Sequence, residues 1–200
     1  DRAIANSIAD LRAKMPWVDL VVINDGSTDR TSQVAKDSGA FVIDLPYNMG
    51  VGAAMRTGYK YARRMDYDVA LQMDADGQHL PEYINVLIEG LNRADIVIGS
   101  RFAESDTYKV TGPRKWAMHM LSFMFTRISG EKFTDVTSGF RACNRKGINQ
   151  YCEFFPAEYL GDTIDSTVMA IRSGCKVIQV PVEMRERQGG VPSSSPLKSA

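Results

Sequence analysis

The sequence lacks the features that mark several large classes of protein. Its 200 residues carry 24 acidic and 24 basic side chains, so no excess of positive charge favours binding to nucleic acid. The cysteines at 143, 152 and 175 are odd in number and form no C-x-x-C pair. They argue against a disulfide framework or structural zinc and favour a reducing cytosol. No apolar run approaches the roughly 20 residues of a membrane-spanning helix, and no signal-peptide pattern opens the chain.

Two common nucleotide-binding fingerprints are also missing. Neither G-x-G-x-x-G nor G-x-x-x-x-G-K-[ST] occurs, so neither a dinucleotide-binding motif nor a P-loop is indicated. Strand and helix patterns nevertheless alternate, with helices expected at 3–15, 30–38, 53–65 and 81–91 and strands at 19–23, 41–45, from 69 and at 95–99. Beyond Arg101 we expect a loop at 103–113, a Met- and Phe-rich helix at 113–128, a polar turn at 134–141, a helix at 158–173 and a strand at 176–182. Alternation of this kind predicts an α/β domain with a mostly parallel sheet and helices on both faces.

Two carboxylates follow the apolar strand that begins at Val69. Asp74 and Asp76 are two residues apart and would point the same way, at the strand end where open α/β sheets bind ligands. Oxygen ligands with no cysteine nearby suit Mg²⁺ or Mn²⁺, whose shell is completed by water and substrate phosphate. A solvated turn explains an isolated Asp-x-Asp equally well. His79, just beyond the pair, could touch a bound ligand or metal.

Polar turns follow the first two strands as well. Asn24–Asp29 ends one strand and starts a helix, so its carboxylates can accept hydrogen bonds from a nucleobase or ribose, or simply cap the helix. The loop Asn48–Gly52 ends the next strand. Because these turns and the aspartate pair all follow the carboxyl ends of strands, we expect them on one edge of the sheet.

Polar residues in the second half of the chain could also bind a ligand. Thr137–Arg141 combines hydroxyls, a glycine and an arginine, which can grip a phosphate, although a tight turn with an exposed arginine is the alternative. Asp135 either supports this loop or helps to hold the metal. Asp162 and Asp165 share one face of the predicted helix and suit either catalysis or stabilisation of the helix N-terminus.

Together these segments resemble the inverting family-2 glycosyltransferases of the GT-A fold. The resemblance is carried by Asn24–Asp29, Asn48–Gly58, Asp74–Pro81 and Gly99–Phe102. Thr137–Arg141 narrows it to the branch similar to dolichyl-phosphate mannose synthase and other polyprenyl-phosphate glycosyltransferases. The resemblance covers almost the whole chain and implies a single catalytic domain over residues 1–200. The processive Gln-x-x-Arg-Trp signature is missing, which favours a single transfer.

The resemblance also implies roles for individual residues. The implied nucleotide-sugar contacts are Asp25 at the base, Gly50, Asp74 at the ribose, and Arg101 near the phosphates. The implied metal ligands are Asp76, directly, and Asp74, through water. The implied acceptor-phosphate residues are Ser138, Arg141, Arg185 and Arg187. Asp162 or Asp165 would be the catalytic base.

By this resemblance the chain transfers a hexose from GDP-mannose or UDP-glucose to dolichyl or undecaprenyl phosphate. Mg²⁺ or Mn²⁺ would be the cofactor, and the enzyme would be peripheral at the cytoplasmic face of a membrane. The family's first strand has no counterpart here, so we expect truncation at the N-terminus and before any C-terminal membrane segment. Asn24 and Val51 also depart from the family pattern. Transfer to a sugar or small hydroxylated acceptor, or an inactive nucleotide-sugar-binding scaffold, remain the alternatives.

Overall fold

The computed structural model describes residues 2–101, 124–127, 129–131, 133–134, 138–156 and 161–185. Its helices are α1 (Arg2–Lys14), α2 (Thr31–Asp37), α3 (Val51–Arg64), α4 (Ile84–Gly90), α5 (Arg145–Glu153) and α6 (Ser166–Arg172). Its strands are β1 (Val21–Asn24), β2 (Phe41–Asp44), β3 (Val69–Gln72), β4 (Ile96–Arg101), β5 (Arg141–Asn144) and β6 (Val177–Val182). None of the helices in these ranges has the length and apolar character needed to cross a bilayer.

The strands form two sheets. β1 and β2 pair in parallel, and the larger sheet has the order β3-β5-β4-β6. β4 and β6 are parallel, whereas β5 runs antiparallel to both of its neighbours. The prediction of a mostly parallel sheet therefore holds except at β5. In the register of that strand Gln72 lies opposite Arg141, which brings the end of β3 beside the start of β5.

The segment from 141 to 153 corrects the sequence prediction. A polar turn was expected through Arg141 and no element directly after it, but the chain forms β5 and then α5 without an intervening loop. Asn144 makes this junction possible, because its side-chain oxygen accepts hydrogen bonds from the N–H groups of Lys146 (3.0 Å) and Gly147 (3.1 Å). Arg141–Asn144 has polar residues at both ends and only Ala142 and Cys143 between them, so no apolar run marked this strand in the sequence.

Other predicted boundaries shift by a few residues. The helix expected at 81–91 begins as a 3₁₀ turn, Pro81–Tyr83, and a π-helical turn, Gly161–Asp165, leads into α6. The loop at 103–113 and most of the helix at 113–128 lie outside the described residues. Met124–Arg127 are helical, and Phe125 is buried.

Helices cover both faces of the larger sheet, as predicted. On one face Ile96 and Ile98 of β4 pack with Tyr59 of α3 and Ile148 of α5. On the other face, residues of α1 and α4 pack against alternate strand positions, including Leu11, Leu87, Val97, Ala142 and Ile178. The alternation along β4 is that of a strand buried on both sides. A third apolar cluster joins α1 and α2 to the smaller sheet.

Candidate active site

The Asp74–Asp76 segment forms a tight turn immediately beyond β3. Asp76 Oδ1 accepts a hydrogen bond from the N–H of Gln78 at 3.0 Å, which closes the turn in the manner common for aspartate. Gly77 has φ 79°, a left-handed conformation that glycine adopts without a steric cost. Both aspartates are partly exposed, so their carboxylates can reach a ligand.

The loop before β5 lies directly against this turn. A β-carbon on Gly139 would lie 3.1 Å from Asp74 Oδ2, 3.2 Å from Asp74 Oδ1 and 3.4 Å from Gln72 Nε2. The glycine therefore lets the backbone approach the Asp74 carboxylate closely. Two motifs that are more than 60 residues apart in the sequence thus meet. This proximity is expected if one motif binds the nucleotide-sugar and the other binds the acceptor phosphate.

Arg141 points into the protein. Its side chain is 1% exposed, and its guanidinium donates to Ser138 O (2.9 Å), Ser166 Oγ (3.1 Å) and the Tyr151 hydroxyl (3.4 Å). Burial raises the pKa of the Tyr151 hydroxyl. In this arrangement Arg141 binds protein groups and fixes the Ser138 loop, and its predicted contact with a phosphate remains a prediction.

The first two polar turns also meet. Asp25 Oδ1 accepts a hydrogen bond from the N–H of Met49 at 2.7 Å, and Gly50 is the residue before α3, with φ 88°. Gly26 has φ 68°, and a β-carbon there would lie 2.5 Å from Asn48 N. The Asp25 turn and the glycine-containing loop are therefore one unit, in which Asp25 holds the loop.

Asn24 is a structural residue that the motif comparison did not explain. It is buried, its amide donates to Asp44 Oδ1 at 2.8 Å, and its Oδ1 accepts the N–H of Ser27 at 3.2 Å. The hydrogen bond from Lys36 is the main reason that the pKa of Asp44 lies below its ordinary value. An aspartate at position 24 would face this carboxylate, so asparagine suits the position.

The structure describes the remaining predicted site residues only in part. Asp165 is exposed at the end of the π-helical turn, and Asp162 lies in the same turn with only its backbone described. Ser166, next to Asp165, accepts a hydrogen bond from Arg141, so this turn adjoins the buried arginine. Arg101 ends β4 opposite Val182, with its side chain outside the described atoms. Asp135 and Arg187 lie outside the described residues.

Arg185 lines a solvent-open cavity beside the aspartate turn. Asn6, Ser7 and Asp10 of α1 form one wall, and Gly77, His79 and Arg185 form part of the other. The guanidinium of Arg185 lies 3.2 Å from Asp10 Oδ2. A hydrogen bond from Lys14 is the largest cause of the lowered pKa of Asp10, with smaller contributions from Arg185. The cavity wall therefore holds paired charges of both signs.

A divalent cation fits the chemistry of the aspartate turn. Within the described ranges there is no group of three or more His, Cys, Asp or Glu side chains arranged to hold a metal. Asp74 and Asp76 offer two partly exposed carboxylates at the turn. One or two carboxylates completed by water and phosphate oxygens form a common Mg²⁺ site in nucleotide enzymes.

Solved structures of a sugar-transferring enzyme share this fold. Glucosyl-3-phosphoglycerate synthase from Mycobacterium tuberculosis, in complex with phosphoglyceric acid, superposes with a TM-score of 0.71 and 19% identity, covering 99% of this chain and 70% of that one. Its complex with Mn²⁺, uridine diphosphate and phosphoglyceric acid gives a TM-score of 0.71 and 20% identity over 98% of this chain and 68% of that one. The fold is the GT-A fold of glycosyltransferases.

The chain belongs to glycosyl transferase family 2, whose sequence profile matches residues 2–152. Undecaprenyl-phosphate mannosyltransferase from Micrococcus luteus is 29% identical over 191 residues, which cover 92% of this chain and 79% of the relative. Polyprenol monophosphomannose synthase from Mycolicibacterium smegmatis is 31% identical over 190 residues, which cover 90% of this chain and 71% of the relative. The resemblance that the motifs carry is confirmed, and the protein is a glycosyltransferase.

Proposed function

We propose that this enzyme transfers a hexose, with inversion, from a nucleotide-sugar to a polyprenyl phosphate. The observation that carries the proposal is the close approach of the Gly139 backbone to the carboxylate of Asp74. It brings the segment predicted to bind the acceptor beside the segment predicted to bind the nucleotide-sugar. The names of the Micrococcus and Mycolicibacterium relatives supply the acceptor class. GDP-mannose and UDP-glucose are the donors to be tested first.

On the donor side, Asp76 and Asp74 would hold Mg²⁺ or Mn²⁺ together with the diphosphate of the nucleotide-sugar. The complex of the structural relative with Mn²⁺ and uridine diphosphate supports a metal of this kind. Bound there, the cation would supply Lewis-acid stabilisation of the negative charge on the leaving diphosphate. Asp25 and Gly50 form the neighbouring unit and would contact the base and the nucleotide, and Arg101 would lie near the phosphates.

On the acceptor side, Ser138 and Arg141 shape the loop that faces Asp74, and Arg185 and Arg187 would attract the phosphate. An oxygen of the acceptor phosphate attacks the anomeric carbon from the face opposite the leaving group, in a single displacement. A phosphate monoester already carries much of its second negative charge near pH 7, because its second pKa is about 6. Asp162 or Asp165 would therefore orient the acceptor more than deprotonate it.

The acceptor determines where the enzyme would work. Because a polyprenyl chain is confined to a bilayer, the enzyme would act at a membrane surface, on the cytoplasmic face where nucleotide-sugars are available. The described residues contain no membrane-crossing helix, and a peripheral association fits the proposal. Arg185 at the cavity wall is one cation that such an acceptor would meet.

Binding measurements test the donor site. We expect calorimetry to show tighter binding of UDP or GDP with Mn²⁺ than without it, and Asp76→Asn to weaken the Mn²⁺-dependent binding at least about tenfold, or about 1.4 kcal/mol. Asparagine keeps an oxygen that can accept the Gln78 N–H and removes only the charge. Asp68→Asn is the matched control, since Asp68 is an exposed carboxylate paired with Arg145. Equal Mn²⁺ dependence in both variants would refute the metal assignment.

A further inference from the structure

His79 lies where three distant segments of the chain meet. Its side chain is 5% exposed, and its ring stacks on Phe140 with centroids 4.8 Å apart and an angle of 11° between the planes. Its backbone pairs with Met184 in an isolated antiparallel bridge. The residue therefore joins the aspartate turn, the loop before β5 and the segment after β6.

The imidazole also holds the backbone of the aspartate turn. The N–H of Asp74 donates a hydrogen bond to His79 Nδ1 at 3.1 Å, so Nδ1 accepts and carries no proton in this arrangement. This bond bridges five residues and fixes the main chain from which the Asp74 carboxylate projects. The stack on Phe140 fixes the ring in turn, and Phe140 directly follows Gly139, whose backbone approaches that carboxylate.

The other end of the turn is fixed independently. The N–H of Arg185 donates to Gln78 O at 2.9 Å, and the N–H of Gln78 donates to Asp76 Oδ1 at 3.0 Å. Between these two anchored ends lies Gly77, with φ 79°. A turn that contains glycine keeps one geometry only if its ends are held, and His79 holds the end that carries Asp74.

We propose that His79 is a positioning residue for the aspartate turn: its Nδ1 and its stack on Phe140 hold Asp74 and Asp76 ready for a divalent cation with a nucleoside diphosphate. The inference rests on the proposed function of these aspartates. The side chain of His79 contributes a hydrogen-bond acceptor, Nδ1, which lies at a fixed distance from the backbone of the same residue. Asparagine can place an oxygen near the position of Nδ1, whereas leucine fills similar space without an acceptor.

The pair His79→Leu and His79→Asn tests this role, with Mn²⁺ and either UDP or GDP as probes. By calorimetry we expect His79→Leu to weaken Mn²⁺-dependent nucleotide binding at least tenfold and His79→Asn to recover most of the loss. Binding without Mn²⁺ should change less than twofold in both variants. A residue needed only for core packing would not be rescued in this way, because asparagine is smaller and more polar than leucine.

Equal weakening in both variants, or Mn²⁺-dependent binding by His79→Leu that matches the wild type, would overturn the role of His79. Asp76→Asn distinguishes failure of the proposed function from failure of the role proposed for His79. If Asp76→Asn weakens binding and His79→Leu does not, the proposed function stands and the role of His79 is refuted. If neither variant has an effect, both are refuted.

If His79→Leu does not fold, a measurement on the wild-type protein replaces it. We expect an NMR scalar coupling between the Asp74 amide nitrogen and His79 Nδ1, and the absence of this coupling would refute the hydrogen bond.

Discussion

Gly139 shows how a single residue brings together two segments that are predicted to bind ligands. A methyl group at this position would lie 3.1–3.2 Å from both carboxylate oxygens of Asp74, closer than an ordinary van der Waals contact. The motif Thr137–Arg141 predicted a glycine for close backbone approach, but the sequence indicated a phosphate as the group approached. In the structure the group is a carboxylate of the same site.

We predict that Gly139→Ala impairs metal binding more than stability. The Asp74 carboxylate must move by a few tenths of an ångström, which should lower the free energy of unfolding by about 1 kcal/mol and weaken Mn²⁺-dependent nucleotide binding roughly tenfold. Gly58→Ala is the control, because its β-carbon would lie 3.6 Å from Ile23 Cγ1, an ordinary contact. Urea unfolding and calorimetry measure the two effects. Unchanged nucleotide affinity in Gly139→Ala would show that the position of Asp74 does not matter.

The size of the Asp162 effect should reveal the acceptor class. With a polyprenyl phosphate we expect Asp162→Asn to have little effect above about pH 7 and a greater one below about pH 6, since the second phosphate pKa is about 6. A hydroxyl acceptor must lose its proton during attack, and a general base commonly contributes ~10²–10⁴-fold. Asp165→Asn, assayed at the same pH values, tests the other candidate in the same way. A loss of about a thousandfold at pH 8 would favour a hydroxyl acceptor instead.

At the scale of whole elements, β5 decides how the site is assembled. The sequence predicted the alternating strands and helices before Arg101 well, because apolar runs mark the strands and turn or capping residues separate them from the helices. It missed β5 and α5 because Arg141–Asn144 begins and ends with polar residues and has no turn before the helix. The buried arginine belongs to this element: its guanidinium donates hydrogen bonds to Ser138, Tyr151 and Ser166, none of which a local pattern reveals.

We therefore expect Arg141→Met to destabilise the fold. Removing the guanidinium leaves buried acceptors without their donor, so the free energy of unfolding should fall by about 2–4 kcal/mol. Arg64→Met on the exposed side of α3 should change it by less than about 0.5 kcal/mol. Urea unfolding gives both values. If Arg141→Met kept its stability and lost only acceptor use, the guanidinium would serve the phosphate and not the core.

At the scale of the whole molecule, the order of motifs predicted one catalytic edge, and three long-range contacts define its parts. Asp25 holds the loop at Met49, Gly139 approaches Asp74, and His79 pairs with Met184. The sequence placed the segments at Asp25, Asn48–Gly52 and Asp74 at strand ends but could not show which segments touch. The approach of Gly139 to Asp74, for example, depends on the antiparallel register of β5 with β3. The extent of the catalytic domain over residues 1–200 remains a prediction.

Direct transfer to lipid is the most decisive measurement. The 200-residue chain would be incubated with Mn²⁺, GDP-mannose or UDP-glucose, and vesicles that contain undecaprenyl or dolichyl phosphate, and the lipid product analysed by mass spectrometry and NMR. We predict a hexosyl-phosphoryl lipid with inverted anomeric configuration, formed by the wild type and not by Asp76→Asn. Transfer to a free sugar or to phosphoglycerate with no lipid product, or retention of configuration, would contradict the proposed reaction.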